Sequence, residues 1–226
     1  MGKELIKEHS IWNHMKIVNQ LNPYLRGHKG FAAGGVFKNL FNGEQFKDVD
    51  IFFRDREDFD EALSYFQNDE DYYKFYDNKK VNAFKNKHTR VTVELIKYKF
   101  GEPIDILSQF DFTITKVAYV NNFRTPEQIE QMIEDGTISP EDEIKDVLEP
   151  SFLLIHQDFF EHLHTKRLVV DDIMVLPFNT FERMIRYGKY GYFPCRETKM
   201  KLIKAIRESE VFDDASLNKS LYDGMD

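Results

Sequence analysis

The stretch Gly34-Gly35-Val36-Phe37-Lys38-Asn39-Leu40-Phe41-Asn42-Gly43, followed after a short loop by Lys47-Asp48-Val49-Asp50-Ile51, decides how this chain is read. Just ahead of it, Gly30-Phe31-Ala32-Ala33 reads as a short extended piece, so the paired glycines stand where a strand turns into a helix. Val36, Phe37, Leu40 and Phe41 recur at helical spacing, and Gly43 suits the end of that helix. A helix start favours phosphate because its free amides and its dipole both point at the anion. One loop later Asp48 and Asp50 lie two apart on a candidate strand, DVDIFF. Their carboxylates project from one face while Val49 and Ile51 point into the core. Adjacent carboxylates repel unless a cation lies between them, and Mg²⁺ prefers one or two carboxylates together with phosphate oxygens and water. A lone glycine pair or a lone Asp-x-Asp is common. In this order and spacing they describe metal-assisted nucleotidyl transfer, in which one ion activates the attacking hydroxyl and a second holds the triphosphate.

These residues resemble the head-domain signature of class II CCA-adding tRNA nucleotidyltransferases and bacterial poly(A) polymerases, members of the polymerase-β-like nucleotidyltransferase superfamily. The family pattern GGxVRDxLLG followed by KDIDhhh aligns with residues 34–51 without a gap. Lys38 stands where the family has Arg, and Asn39 where it has an acid. Asp111-Phe112-Thr113-Ile114-Thr115, followed by Val117-Ala118-Tyr119, is similar to the family's RRDFTINALAY, with Gln109 and Phe110 in place of its arginines. Further on, Lys166-Arg167-Leu168-Val169-Val170 and Arg183-Met184-Ile185-Arg186 are similar to the neck motifs. There Asn179-Thr180-Phe181-Glu182-Arg183 keeps the Arg of the base-reading EDxxR element and has Thr180 for its Asp.

The resemblance covers roughly residues 25–207 and implies an α+β fold: a mixed sheet flanked by helices, with a helical neck. The expected division is a nucleotidyltransferase head over 1–124 and a helical neck and C-terminal region over 125–226. The family's helical body and tail, which hold tRNA, are expected to have no counterpart in these 226 residues. The resemblance implies that Asp48 and Asp50 bind Mg²⁺, with Asp105, in Ile104-Asp105-Ile106 on a neighbouring strand, as the third carboxylate. Gly34, Gly35 and Lys38 are expected to hold the triphosphate of an NTP, Asp111 the ribose, and Arg183 with Arg186 the base or phosphates. The expected reaction is attack of an acceptor hydroxyl on the α-phosphorus with release of pyrophosphate. The first acceptor is an RNA 3′ end, tRNA included. The alternatives are a small molecule or protein acceptor, and a degenerate head that only binds nucleotide or RNA.

Composition fits this reading. Apolar residues make up 42% of the chain, and 21 Phe with 11 Tyr supply a packed core, which excludes a disordered chain. The single Cys195 allows no internal disulfide, has no matched partner as a nucleophile, and fits a reducing compartment. No apolar run approaches the ~18 residues of a membrane helix, so a cytoplasmic, membrane-free protein is expected. A net charge of −8 argues against indiscriminate nucleic-acid coating. The stretch 183–207 is nonetheless strongly basic, with interleaved Tyr187, Tyr190, Tyr192 and Phe193, and is expected to track RNA. His156, His162 and His164 are expected to be solvated or hydrogen-bonded rather than metal ligands.

The remaining pattern predicts helices over Glu4–Leu25, around Phe59–Phe66, after Thr125 up to Gly136, and from Phe178 to Arg207 with a break near Gly191. Strands are predicted at 89–96 and 103–107. Residues 111–120 read as a further strand, or a strand running into a helix. The acidic stretch 141–149 and the tail beyond Glu210 read as solvated surface.

Overall fold

A computed structural model describes residues 2–122, 151–171 and 176–209, with positions 130, 133, 134 and 136. The helix expected after Thr125 lies mostly outside the described residues, as do the acidic stretch 141–149 and the tail beyond 210.

The strands are β1 (Ile6–His9), β2 (Phe31–Ala33), β3 (Asp48–Phe53), β4 (Tyr72–Asp77), β5 (Val81–Asn86), β6 (Thr92–Phe100), β7 (Val117–Val120), β8 (Phe152–His156), β9 (Arg167–Leu168) and β10 (Phe193–Pro194). The helices are α1 (Trp12–Val18), α2 (Val36–Phe41), α3 (Arg56–Asn68), α4 (Pro103–Ser108), α5 (Phe159–His164), α6 (Pro177–Lys189) and α7 (Arg196–Glu208). Eight strands form one mixed sheet in the order β1-β8-β7-β2-β3-β6-β5-β4, and β9 pairs with β10 in a small parallel ribbon. Within the large sheet β3 and β6 run parallel, and the other neighbours run antiparallel. The protein is thus α+β, a large mixed sheet flanked by helices. β8 comes from beyond residue 124, so the boundary expected there does not bound the sheet.

Alternation along β3 assigns its two faces. Val49, Ile51 and Phe53 join the larger core, with Phe37 of α2, Phe59 and Phe66 of α3, and Leu95 of β6. Phe52 points the other way, into a smaller cluster with Phe31, Ile96, and Ile106 and Leu107 of α4. Asp48 and Asp50 share that second face at the end α4 leaves uncovered. Burying a Phe side chain contributes roughly 1.5–3 kcal/mol, so the ring-rich first face holds β3 firmly and fixes the direction of its acids.

Two local expectations are corrected, and one hairpin is added. Residues 4–25 are not one helix: Ile6–His9 pairs with β8, and the helix proper is Trp12–Val18, followed by a 3-10 turn at Asn19–Tyr24. A partner strand far along the chain overrides helical spacing there. Residues 103–107 form α4 instead of a strand, because Pro103 at the first helical position presets the backbone and Glu102 is extended before it. The hairpin β4–β5, not read from the sequence, carries β6 on its inner side.

Candidate active site

The glycine turn brings backbone close to carboxylate. Gly34 has φ +100°, a conformation L side chains rarely adopt, and a Cβ there would lie 3.3 Å from the Phe110 ring and 3.5 Å from Asp50 Oδ2. Its N–H donates to the Val117 carbonyl at 3.0 Å, which fixes the turn against β7. Gly35 caps α2, and a Cβ on it would face the Tyr187 hydroxyl at 3.6 Å.

A cleft of about 500 Å³ opens beyond this turn, lined by Gly35, Lys38, Asp48, Asp50, Arg183 and Arg186, with Tyr187 and Tyr190 of the α6 end as its far wall. Lys38 is almost fully buried. Its Nζ lies 3.5 Å from a Glu44 carboxylate oxygen and 5.3 Å from the centre of the Tyr190 ring. A cation on an aromatic face, with one weak acidic partner, is available to a bound anion.

The acids meet across two strands. Asp50 of β3 is in register with Glu94 of β6, and Asp48 with Thr92. Burial, and then the charges of Glu94 and Asp48, push the Asp50 carboxyl well above the usual carboxylate range. Glu94 is raised as well, chiefly by burial; Tyr76 and Asp50 hydrogen-bond to it, and Asp48 adds repulsion. Crowded on neighbouring strands, the two carboxyls resist ionising together, and the site favours uptake of positive charge. Among the described residues no three His, Cys, Asp or Glu side chains are arranged as ready metal ligands. The donor set itself, oxygen-only, crowded and in need of positive charge, is the chemistry Mg²⁺ satisfies.

Asp105, expected as the third carboxylate, is elsewhere. It lies on the exposed side of α4, ion-paired with Lys3. The acid beside Asp50 is Glu94, which the sequence reading passed over. The available signal was its place in Thr92-Val93-Glu94-Leu95, an acid on the alternate face of an apolar strand.

Asp111 and Arg183, expected to touch ribose and base separately, are bound to each other: Arg183 Nη1 donates to Asp111 Oδ2 at 2.5 Å. Asp111 is nearly buried, and burial raises its carboxyl while Arg183 opposes that rise. Lys99 stands beside the pair, its ammonium pushed down mainly by burial and then by Arg183. Arg186 is exposed on the cleft. Thr180 is fully buried, its hydroxyl donating to the Leu176 carbonyl.

The basic residues of α7 do not line the cleft: Lys201, Lys204 and Arg207 surround a separate hollow with Met200 and Ile203. His162 is hydrogen-bonded to Thr113 at 2.8 Å, and His156 accepts from the Asp158 N–H at 3.1 Å. No helix among the described residues is long and apolar enough to cross a membrane.

Comparison with known proteins adds two findings. The family model described as Gad2, Gabija anti-defense 2 family protein, matches residues 5–166. A curated relative, "Gabija anti-defense 2" of Bacillus phage SPbetaL7, is 31% identical over 176 residues, 76% of this chain and 36% of that protein. Among solved structures, a CCA-adding enzyme with CTP superposes with TM-score 0.56 at 16% identity, over 97% of this chain and 50% of that one. A CCA-adding enzyme with ATP gives 0.54 at 15% identity, over 95% and 46%. A tRNA nucleotidyltransferase complexed with a primer tRNA and an incoming ATP analog gives 0.51 at 16% identity, over 92% and 54%. The chain thus spans about half the length of these enzymes, and what it shares with them at this identity is the nucleotidyltransferase fold. The family to which its sequence matches is a different one from the CCA-adding enzymes it resembles.

Proposed function

The chain belongs to the Gabija anti-defense 2 family, and from that premise and the cleft described above we propose that it is a Mg²⁺-dependent nucleotidyltransferase. It moves an NMP from an NTP to an acceptor hydroxyl, with an RNA 3′ end as the first acceptor, tRNA included. The observation that carries this reading is the placement of Asp48 and Asp50, with Glu94 in register beside Asp50, on a cleft that also receives Gly35, Lys38, Arg183 and Arg186.

Asp48, Asp50 and Glu94 are the residues that would hold Mg²⁺, with Glu94 in the role the sequence assigned to Asp105. When bound, the metal supplies charge neutralisation at the reacting phosphate and a more acidic attacking hydroxyl. The chain's own residues do the rest. The side-chain-free turn at Gly34 and Gly35 lets the triphosphate approach the carboxylates, and Lys38 and Arg186 balance its charge. The Arg183–Asp111 pair frames the nucleoside, with Tyr187 and Tyr190 walling the cleft against water. The acceptor oxygen forms a bond to the α-phosphorus, the bond to the bridging oxygen breaks, and pyrophosphate leaves. The ionised Glu94 carboxylate takes the hydroxyl proton.

The family name favours a second reading of the acceptor alone: a hydroxyl on a component of the Gabija defence. One assay addresses both. The protein is incubated with each α-labelled NTP, Mg²⁺, and either total RNA or purified defence components. A labelled product that Asp48→Ala and Asp50→Ala each reduce at least a hundredfold supports the reading. No product with any NTP and any acceptor pool overturns it.

A further inference from the structure

The carboxylates have a second recess on their other side. A groove of about 550 Å³ lies along β4, β5 and β6, lined by Lys47, Lys85, Arg90, Phe75 and Tyr76 together with Asp48 and Glu94. Asp48 lines both this groove and the nucleotide cleft, while Asp50 belongs to the cleft and Glu94 to the groove. The three acids thus form the ridge between two hollows, one on each side of the place where a phosphorus would be attacked.

The groove is built from residues with no structural need to be basic. None of Lys47, Lys85 and Arg90 is in an ion pair among the described residues. Lys47 and Arg90 are exposed, and Lys85 is half-buried. Arg90 is held in the turn between β5 and β6 at φ 63°. Its N–H donates to the Asn86 carbonyl, and Asn86 Oδ1 accepts from the His88 and Thr89 amides. Phe75 is 50% exposed, and Lys85 Nζ lies 4.6 Å from the centre of its ring, leaving the ring's remaining surface to solvent. Unpaired cations beside a solvent-facing ring are the means by which proteins hold single-stranded nucleic acid: phosphates on the cations, a base on the ring. An acidic peptide would use the cations and leave the ring bare.

We propose that this groove binds the 3′-terminal segment of a single-stranded nucleic acid, and delivers its terminal hydroxyl across Asp48 and Glu94 to the nucleotide. The acceptor path then runs along the β4–β5 hairpin and not along the basic α7. This assignment rests on the transferase reading for its purpose, though its binding test does not need chemistry.

The test is fluorescence anisotropy of a 5′-labelled single-stranded RNA of about twelve nucleotides, in EDTA. The proteins are wild type, the triple variant Lys47→Gln/Lys85→Gln/Arg90→Gln, Phe75→Ala, and Lys199→Gln/Lys204→Gln on α7. The substituted side chains are at the surface or half-buried, and circular dichroism checks that each variant is folded. The triple variant is expected to bind at least tenfold more weakly, with the slope of log K against log salt reduced by about two. Phe75→Ala is expected to weaken binding severalfold without changing that slope, and the α7 variant to stay within twofold of wild type. Wild-type-like binding by the triple variant, affinity lost only in the α7 variant, or no measurable wild-type binding would each overturn the assignment. RNA bound through the groove with no NMP transferred from any NTP to any acceptor pool refutes the transferase reading and leaves the groove standing. NMP transfer to a protein acceptor that the triple variant supports undiminished refutes the groove and leaves the transferase.

Discussion

At the residue scale, the pair Asp50–Glu94 and the outlier Asp105 make opposite predictions. Glu94→Gln should lower kcat at least a hundredfold in the NMP-transfer assay, whereas Asp105→Asn, which loses only a surface ion pair with Lys3, should stay within twofold. The Asp50 carboxyl is raised in the folded protein. Its stabilising contribution is therefore complete below the unfolded carboxylate range and is lost as pH rises through the folded value. Metal-free protein is most strained at neutral pH, so Asp50→Asn should raise its melting midpoint in EDTA, more at about pH 7.5 than near pH 4. Each kcal/mol relieved moves the midpoint by roughly 2–4 °C in a domain of this size. For the same reason the proposed Mg²⁺ binding is expected to displace a proton. Calorimetric affinity for Mg²⁺ should rise with pH, and the measured heat should depend on the buffer's ionisation enthalpy. Asp48 and Asp50 could be read from the sequence because side-chain alternation is a local property of DVDIFF. Glu94 shows in the sequence only as an acid on the alternate face of an apolar strand, because its closeness to Asp50 depends on two strands more than forty residues apart pairing in parallel.

At the scale of elements, the sequence shows what neighbours along the chain decide and hides what distant partners decide. The helices α2 and α3 and the strand β3 follow from spacing, glycines and caps, including Asp55, whose side chain accepts from the Asp58 N–H at 2.9 Å. The Ile-Asp-Ile of α4 alternates like a strand, but Pro103 and six residues of length leave it a short helix against the second face of the sheet. The β4–β5 hairpin escaped notice because Tyr73, Lys74 and Phe75 are all exposed on an edge strand, so no apolar alternation marks it. The turn between β2 and α2 gives this scale its prediction. Gly34→Ala puts a methyl between Phe110 and Asp50 at φ +100°. It should destabilise the fold by about 1–2 kcal/mol and weaken more than tenfold the binding of whichever NTP the transfer assay selects, measured by denaturant titration and calorimetry.

At the scale of the whole molecule, a buried charge pair fastens the segment after β9 to the sheet. Lys116, with no exposed side-chain surface, donates to Asp171 at 2.8 Å, next to the single bridge between Phe112 and Val170. The Nε2 of His156 lies 3.7 Å from the same carboxylate. Lys116→Met, which keeps the volume and deletes the buried cation, should destabilise the protein by about 3–5 kcal/mol in urea titrations. The chain's overall charge of −8 is a poor guide to either hollow, since Lys47, Lys85 and Arg90 gather around one and Lys38, Arg183 and Arg186 around the other, in both cases beside carboxylates.

The pairing of β1 with β8 has a consequence in time. Ile6 is hydrogen-bonded beside His156, so β1, made before the other strands of this sheet, has no partner until the chain has grown by 150 residues. At the usual ~5–20 residues per second, that wait is about eight to thirty seconds. Throughout it the β7 side of the nascent sheet is an open edge, and closure of the sheet is a late, non-local event in the birth of each molecule.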